Sequence, residues 1–407
     1  MRAVAGLCLG ALLATSACNT DQEQALDQDI QDAQQNAAII EGSYIVVLKE
    51  DGTNSARQLR DKSFASREDK AEAFEANHRK VSEGVDAILR KHSIGAENLK
   101  HVYSATLAGF AATLSKEEVA SLKLDDRVDR IEADMRVELN QVKSQPAENA
   151  SVQAQSTPWG ISRVGGAVNY ANGYYWAWVL DTGIDLDHPD LNVNTSYSRS
   201  FVGGTADDQN GHGTHVAGTI AAKNNTIGVV GVAAGATVVS VRVLNAQGSG
   251  SMSGILSGVD WVSRNAYSGD VANMSLGGGA YSTLDQAVIN ASNQGIWFAV
   301  AAGNESQNAN NVSPARANGS RIRTVSAHDS NDRFASFSNY ANPPIDFCAP
   351  GVSIYSTWLN GGYRTISGTS MATPHVAGIM LVNSGTVNTR GYVTGDPDGN
   401  ADRLARR

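Results

Sequence analysis

Cysteine is scarce: the 407 residues contain only Cys8, Cys18 and Cys348. Cys8 lies inside an N-terminal apolar segment and Cys18 at its edge, so no disulfide framework can be drawn. Stability must come from packing, with bound metal as the other source. Cys348, between Phe347 and Ala349, reads as a small buried hydrophobe rather than a reactive thiol. Beyond residue 14 no apolar run approaches the ~20 residues a membrane span needs. Lys/Arg clusters are missing too, and with a net charge of −9 this argues against nucleic acid as a partner. Lysine is nearly absent from residues 154–407, where Lys223 stands alone, and no internal repeat is evident.

What is present begins with Met1-Arg2, an apolar segment over 3–14 and the small residues Thr15-Ser16-Ala17 before Cys18. That pattern predicts an export signal over 1–18 and a secreted protein. Cys18 after small residues resembles a bacterial lipoprotein acceptor and would add a lipid anchor, although Thr15 stands where a leucine is expected. Residues 19–42, rich in Asp, Gln and Ala, read as a tether. Charge density then marks a seam between two differently built domains. Lys, Arg, Asp and Glu number 34 over residues 42–140 but only 30 over residues 154–407.

The pattern over 43–140 predicts strand 44–48, a charged helix 57–91, strands 101–107 and 110–114, helix 116–124 and strand 128–139. This is the β-α-β-β-α-β order of a small ferredoxin-like α+β domain. Ser115 followed by Glu118 predicts a capping box on the second helix. Residues 141–153 lack apolar periodicity and read as a linker. From 154 onward, strands 174–180, 237–244, 271–276, 296–302 and 322–328 alternate with helices 212–222, 251–266 and 283–293. That alternation predicts an α/β fold, a mostly parallel central sheet flanked by helices, with its site at the carboxyl ends of the strands. The tail, 387–407, suggests no function.

The stretch Gly368-Thr369-Ser370-Met371-Ala372-Thr373-Pro374-His375-Val376-Ala377-Gly378 carries the strongest chemical signal. Ser370 follows small residues and precedes an apolar run, which predicts the first turn of a buried helix, where unpaired N–H groups favour a developing anion. A serine nucleophile needs a base and a group to orient that base. Asp181 ends an apolar run, and His212 lies in Gly211-His212-Gly213-Thr214-His215, where small residues allow close helix packing. The order Asp, His, Ser excludes the Ser-first plan and differs from the His, Asp, Ser plan. His215 and His375 read as packed core histidines, because their spacing is not that of a zinc-binding helix.

Three motifs, over 179–191, 210–222 and 367–378, together resemble the subtilisin family of serine proteases. The resemblance implies a serine endopeptidase in which Asp181 orients, His212 is the base, Ser370 attacks and Asn304 is the oxyanion donor. Gly248, Ser249 and Gly250, with Ser275, Leu276, Gly277 and Gly278, match its substrate-lining strands, and Ala302 and Gly303 bound the side-chain pocket. The pocket shows no buried charge, so apolar or aromatic acyl-side residues are expected. Gln155, Asp190, Lys223, Asn225, Ile227 and Val229 match its structural Ca²⁺ loop, for which a metal-free polar turn is the alternative, and Asp346 with carbonyls of 320–322 a second, weaker site. Residues 43–140 resemble the inhibitory propeptide, an intramolecular inhibitor and folding aid. The resemblance then implies a self-processing zymogen, cut in the linker near the Gln153–Ala154 bond to release a catalytic domain of 154–407. Polypeptide substrates, no organic cofactor and a monomer are expected; an esterase with the same triad and a catalytically silent binding protein are the rival readings.

Overall fold

Alternation along one short run, Ile45-Val46-Val47, explains how the two domains meet. A strand sends successive side chains to opposite faces. Val46 points into the small domain's own core with Phe110, Leu114, Val85, Ile88 and Leu122. Ile45 and Val47 point the other way, into a cluster shared with the large domain. The computed structural model describes residues 38–49, 56–139 and 154–407. The export signal, most of the tether, the linker and the Gln153 side of the expected cut lie outside them.

The small domain contains β1 (Ile39–Leu48), α1 (Arg67–Lys91), β2 (Leu99–Tyr103), β3 (Gly109–Thr113), α2 (Lys116–Leu122) and β4 (Val128–Glu138), in sheet order β4-β1-β3-β2. The ferredoxin-like order is as expected. The helix expected over 57–91 is broken instead: a short helix, Ala56–Arg60, ends before α1 begins. Ser66 starts the second helix by accepting a hydrogen bond from the Asp69 N–H at 3.0 Å, which caps one of the unpaired donors of the first turn. The Ser115–Glu118 capping box forms with both of its bonds, 3.1 and 2.7 Å.

The large domain is built on β5 (Ala177–Asp181), α3 (His212–Ala221), β6 (Thr237–Arg242), β7 (Ser249–Ser251), α4 (Met252–Asn265), β8 (Val271–Met274), α5 (Ser282–Ser292), β9 (Trp297–Ala301), β10 (Ile322–His328), β11 (Ile345–Pro350), α6 (Thr369–Val382), β12 (Asn388–Tyr392) and β13 (Arg403–Arg406). Its sheet runs β12-β13-β11-β10-β9-β8-β5-β6 and then a short edge strand, Asn192–Val193. Every pairing from β13 to β6 is parallel, and β12 joins β13 antiparallel. Val179 of β5 packs with α3 and α6 on one face. Trp178 and Leu180 pack with α4 and α5 on the other.

Strands β11, β12 and β13 escaped the sequence pattern, as did the edge strand Asn192–Val193 and a hairpin of Ile354–Trp358 with Gly362–Ile366. β11 begins with Ile-Asp-Phe after three turn-forming residues, and β13 is only Arg-Leu-Ala-Arg. An early aspartate interrupts the one and arginines close both ends of the other, so neither shows a clean apolar run, and only the neighbouring strand turns them into a sheet. The tail therefore closes one edge of the sheet, through β12 and β13. Cys348 of β11 is buried against Val393 and Leu404 of that tail, and burial pushes its thiol well above the ordinary range.

The small domain lies against α4 and α5. Ile45, Val47, Tyr103, Ala111 and Val137 share one buried cluster with Ile255, Leu256, Val259, Leu284 and Val288. Two carboxylates add directional holds. Asp260 of α4 accepts three successive backbone N–H groups, from Ser104, Ala105 and Thr106, at 3.0, 2.7 and 3.1 Å. Asp134 of β4 accepts from the Ser253 N–H and hydroxyl at 3.0 and 2.6 Å.

Candidate active site

Asp181 is the last residue of β5 and is fully buried. One of its carboxylate oxygens accepts from the Thr182 N–H and from His212 Nδ1, each at 2.7 Å. A carboxylate is acceptor-only, so the imidazole proton sits on Nδ1 and the lone pair is left on Nε2. Burial works against the charged imidazole, but the charge of Asp181 and its hydrogen bond outweigh burial and raise the His212 pKa above the ordinary value.

His212 opens α3 because the chain before it turns sharply. Gly211 holds φ +105°, a conformation side chains rarely adopt, and a Cβ there would run into the Trp358 ring. Gly213 lets α3 touch β5: a Cβ there would stand 2.1 Å from the Gly183 carbonyl and 3.0 Å from Asp181 Cβ. Asp208 ties the arrangement together. It accepts from Thr182 Oγ1 at 2.9 Å, the Gly211 and Thr214 N–H groups at 3.0 Å each, and Thr214 Oγ1 at 2.6 Å. The sequence reading missed Asp208, although a carboxylate just ahead of a helix is a typical acceptor for first-turn N–H groups.

Ser370 is the second residue of α6 and is 8% exposed. Its hydroxyl donates to the Ser275 carbonyl at 3.0 Å. Handing that proton to an imidazole therefore requires it to turn away from Ser275. The reverse bond explains a proline inside the helix. Pro374 has no N–H to offer the Ser370 carbonyl one turn earlier, and the Ser275 hydroxyl donates to that carbonyl instead, at 2.8 Å.

Asn304 lies just beyond β9. Its side-chain oxygen accepts from the Thr369 N–H at 2.8 Å and the Thr369 hydroxyl at 3.0 Å. Two donors on that side assign it as the oxygen and turn the amide nitrogen to the opposite side. Asp181, Ser275 and Asn304 thus stand at the carboxyl ends of the adjacent strands β5, β8 and β9, where His212 and Ser370 begin helices packed on one another.

The expected substrate-lining segments separate into two groups. Gly248, Ser249 and Gly250 do line an extended strand, and that strand is β4. Ser249 pairs with Glu138, Gly250 with Val137 and Ser251 with Arg136, antiparallel, while the Leu139 N–H donates to the Gly248 carbonyl at 2.9 Å. Gly278 faces the Val137 side chain, with Gly277 beside it against Val312 and Ser313. Ser275, Ala302 and Gly303 instead brace the interior. Ser275 bonds Ser370, the Ala302 carbonyl accepts from Asn339 at 2.9 Å, and the Gly303 N–H donates to Thr369 at 3.2 Å. Leu276, 3% exposed, belongs to the core cluster.

The expected cation loop also converges. The Gln155 amide reaches the Lys223 carbonyl at 2.8 Å, the Val229 carbonyl at 3.2 Å and Asn225 Oδ1 at 3.4 Å. Asp190 accepts from Asn225 at 2.7 Å and from the Val229 N–H and the Tyr363 hydroxyl at 3.2 Å each. Burial raises the Asp190 pKa to about 6 despite those bonds. Ile227 joins through its N–H, which donates to Asn225 at 2.8 Å. Around Asp346, the second expected site, the groups are held by hydrogen bonds. Its carboxylate accepts from the Thr324 N–H, while the Arg321 and Ile322 carbonyls accept from Phe298 and Arg323. His215 and His375 are fully buried and bonded to backbone carbonyls, and burial lowers each pKa to about 3.

Comparison with known proteins places two families on the chain. The subtilase family matches residues 178–384 and peptidase inhibitor I9 matches residues 43–140. The extracellular serine proteinase of Thermus sp. (strain Rt41A) is 39% identical over 388 residues, which is 90% of this chain and 86% of that protein. The alkaline serine exoprotease A of Vibrio alginolyticus is 41% identical over 313 residues; the match spans 74% of this chain but 56% of that longer protein. Among solved structures, a cold adapted subtilisin-like serine proteinase is similar at a TM-score of 0.54 and 40% identity, covering 60% of this chain and 96% of that one.

Proposed function

The chain belongs to the subtilase family of serine proteases, and from that premise we propose that Asp181, His212 and Ser370 are its catalytic triad and Asn304 its oxyanion donor. The observation that carries this is the 2.7 Å bond between His212 Nδ1 and the fully buried Asp181 carboxylate. It leaves Nε2 as the base for the Ser370 proton. Ser370 Oγ attacks the peptide carbonyl as His212 takes that proton. The carbonyl oxygen becomes an anion, held by the Asn304 amide nitrogen and the Ser370 N–H. His212 returns its proton to the departing amine, leaving an acyl-enzyme that water hydrolyses with His212 again as base.

The protein is a secreted endopeptidase made as a zymogen. Residues 43–140 act as its intramolecular inhibitor, because β4 takes the antiparallel place along Gly248–Gly250 that an extended substrate would need. They also help a sheet rich in distant pairings to form. Self-cleavage in the linker near Gln153–Ala154 frees residues 154–407, which work as a monomer.

Calcium fits the loop around Asp190. The Lys223 and Val229 carbonyls, Asn225 Oδ1 and the Asp190 carboxylate are the hard oxygen donors it prefers, and the Gln155 amide, whose nitrogen meets the first three, offers its oxygen after a half-turn. Its contribution is to stability.

Replacing Ser370 with alanine in the full chain tests the assignment. Peptide hydrolysis and linker cleavage fall to background, and a fluorophosphonate that labels the parent finds no target. Retained casein hydrolysis by purified Ser370→Ala protein refutes it.

A further inference from the structure

One buried charge has no part in this chemistry. Asp270 immediately precedes β8 and is fully buried. Three neutral donors aim its carboxylate: the Trp178 indole N–H at 2.9 Å and the backbone N–H groups of Trp176 and Tyr267 at 3.0 and 2.9 Å. Its ionic partner comes from the other domain. Arg67, the first residue of α1, donates to both carboxylate oxygens, at 2.5 and 3.1 Å, and to the Asn265 carbonyl at 3.3 Å. The guanidinium carbon lies 3.8 Å from the centre of the Trp176 ring and 5.9 Å from that of Tyr267. Arg67 is only 8% exposed.

We propose that Asp270, Trp176 and Tyr267 form a guanidinium-binding site, filled by Arg67 while residues 43–139 are docked and open to arginine side chains of other polypeptides once they leave. A flat cation with two parallel N–H groups suits a carboxylate edge beside an indole face, and an ammonium has neither the fork nor the plane. The site survives the departure of Arg67, since the carboxylate keeps its three neutral donors.

Its position separates it from the catalytic groups. Asp270 and Trp176 precede β8 and β5, whereas Ser275 and Asp181 stand at their far ends. The five residue-to-residue steps from Asp270 to Ser275 span roughly 16 Å of extended chain. The small domain is thus gripped at both ends of the sheet, by β4 beside Gly248–Gly250 and by Arg67 at Asp270. That the site empties in the working enzyme rests on the zymogen reading; its binding chemistry does not.

Methylguanidinium, kept below denaturing concentrations, is the probe. It is titrated into the full chain carrying Ser370→Ala, which keeps the chain whole, and Arg67→Ala, which opens the site; tryptophan fluorescence is the readout. A saturable change is expected, absent when Arg67 is retained or when Asp270→Asn is added, and at least tenfold weaker with methylammonium. No saturable change, an equal response with Asp270→Asn, or equal potency of methylammonium overturns the proposal. Thermal melting of Arg67→Lys supplies a second test should the alanine variant not fold. Loss of the fork drops its melting temperature well below the parent's, and a temperature equal to the parent's overturns the proposal. Neither measurement reads peptide hydrolysis, so an error in the catalytic assignment leaves both interpretable.

Discussion

Adding one methyl group at Gly213 should damage catalysis without touching a catalytic side chain. A Cβ at that position would stand 2.1 Å from the Gly183 carbonyl oxygen. Carbon and oxygen in contact sit about 3.3–3.6 Å apart, so α3 and the Gly183 turn must separate by about 1 Å. The turn has little freedom to yield, because Gly183 itself, at φ +117°, lies close against the backbone of Asp208. The helix start therefore moves, carrying His212 away from the Asp181 carboxylate it meets at 2.7 Å. A misplacement of about 1 Å in a catalytic group costs on the order of 10²-fold in rate. Overpacking of this kind also costs about 1–3 kcal/mol of stability. Gly213→Ala should therefore lower kcat on a chromogenic peptide about 100-fold and reduce the melting temperature by several degrees. KM should change little, since Gly248–Gly250 and Gly278 lie on other segments. Activity within threefold of the parent, at an unchanged melting temperature, would show that the contact between α3 and β5 does not hold the imidazole in place.

Other expectations follow from the same geometry. Asn304→Ala removes one oxyanion donor and should lower kcat by about 10²- to 10³-fold with KM nearly unchanged, the loss this substitution type produces in subtilisin itself; a rise in KM alone would instead make Asn304 a binding residue. His212 works as a neutral base and its pKa is raised, so the acidic limb of kcat/KM should lie above pH 6.5, with activity gained as pH rises through it. In Asp181→Asn protein the residual activity should show that limb at lower pH, and an unmoved limb would assign it to another group. If calcium binds around Asp190, chelation from a solution at about 100 times the dissociation constant removes about 2.7 kcal/mol, or roughly 5–10 °C of melting temperature. Protons compete for the same carboxylate below about pH 6, so the chelator effect should shrink there. An effect absent at pH 8 counts against the site.

Much of the fold and of the candidate site was legible in the residues before any coordinates. Ser370, His212, Asp181 and Asn304 each sit in a run of small residues beside an apolar stretch, and small residues are what close helix-to-strand contact demands. Helices and strands of ordinary length also declared themselves, because apolar periodicity accumulates over many residues. Elements without a clean apolar run did not: Asp346 interrupts β11, β12 reads Asn-Thr-Arg-Gly-Tyr and β13 Arg-Leu-Ala-Arg, and the break before α1 depended on a single serine cap. Among the site residues, Ser275, Ala302 and Gly303 read from sequence as lining the substrate cleft, and only the fold shows the inward hydrogen bonds each also makes.

Sequence alone marked the candidate reacting groups, through motifs that resemble a known family, and the mostly parallel architecture, through apolar runs alternating with helical patterns. Tertiary structure alone decided that Asp208 aims the start of α3, that Ser275 satisfies the carbonyl Pro374 leaves bare, and that Arg67 meets Asp270. In each case the partners are far enough apart, or joined through backbone groups common to every residue, that no pattern along the chain marks them. A hydrogen bond or ion pair forms only where the fold brings donor and acceptor within about 3 Å.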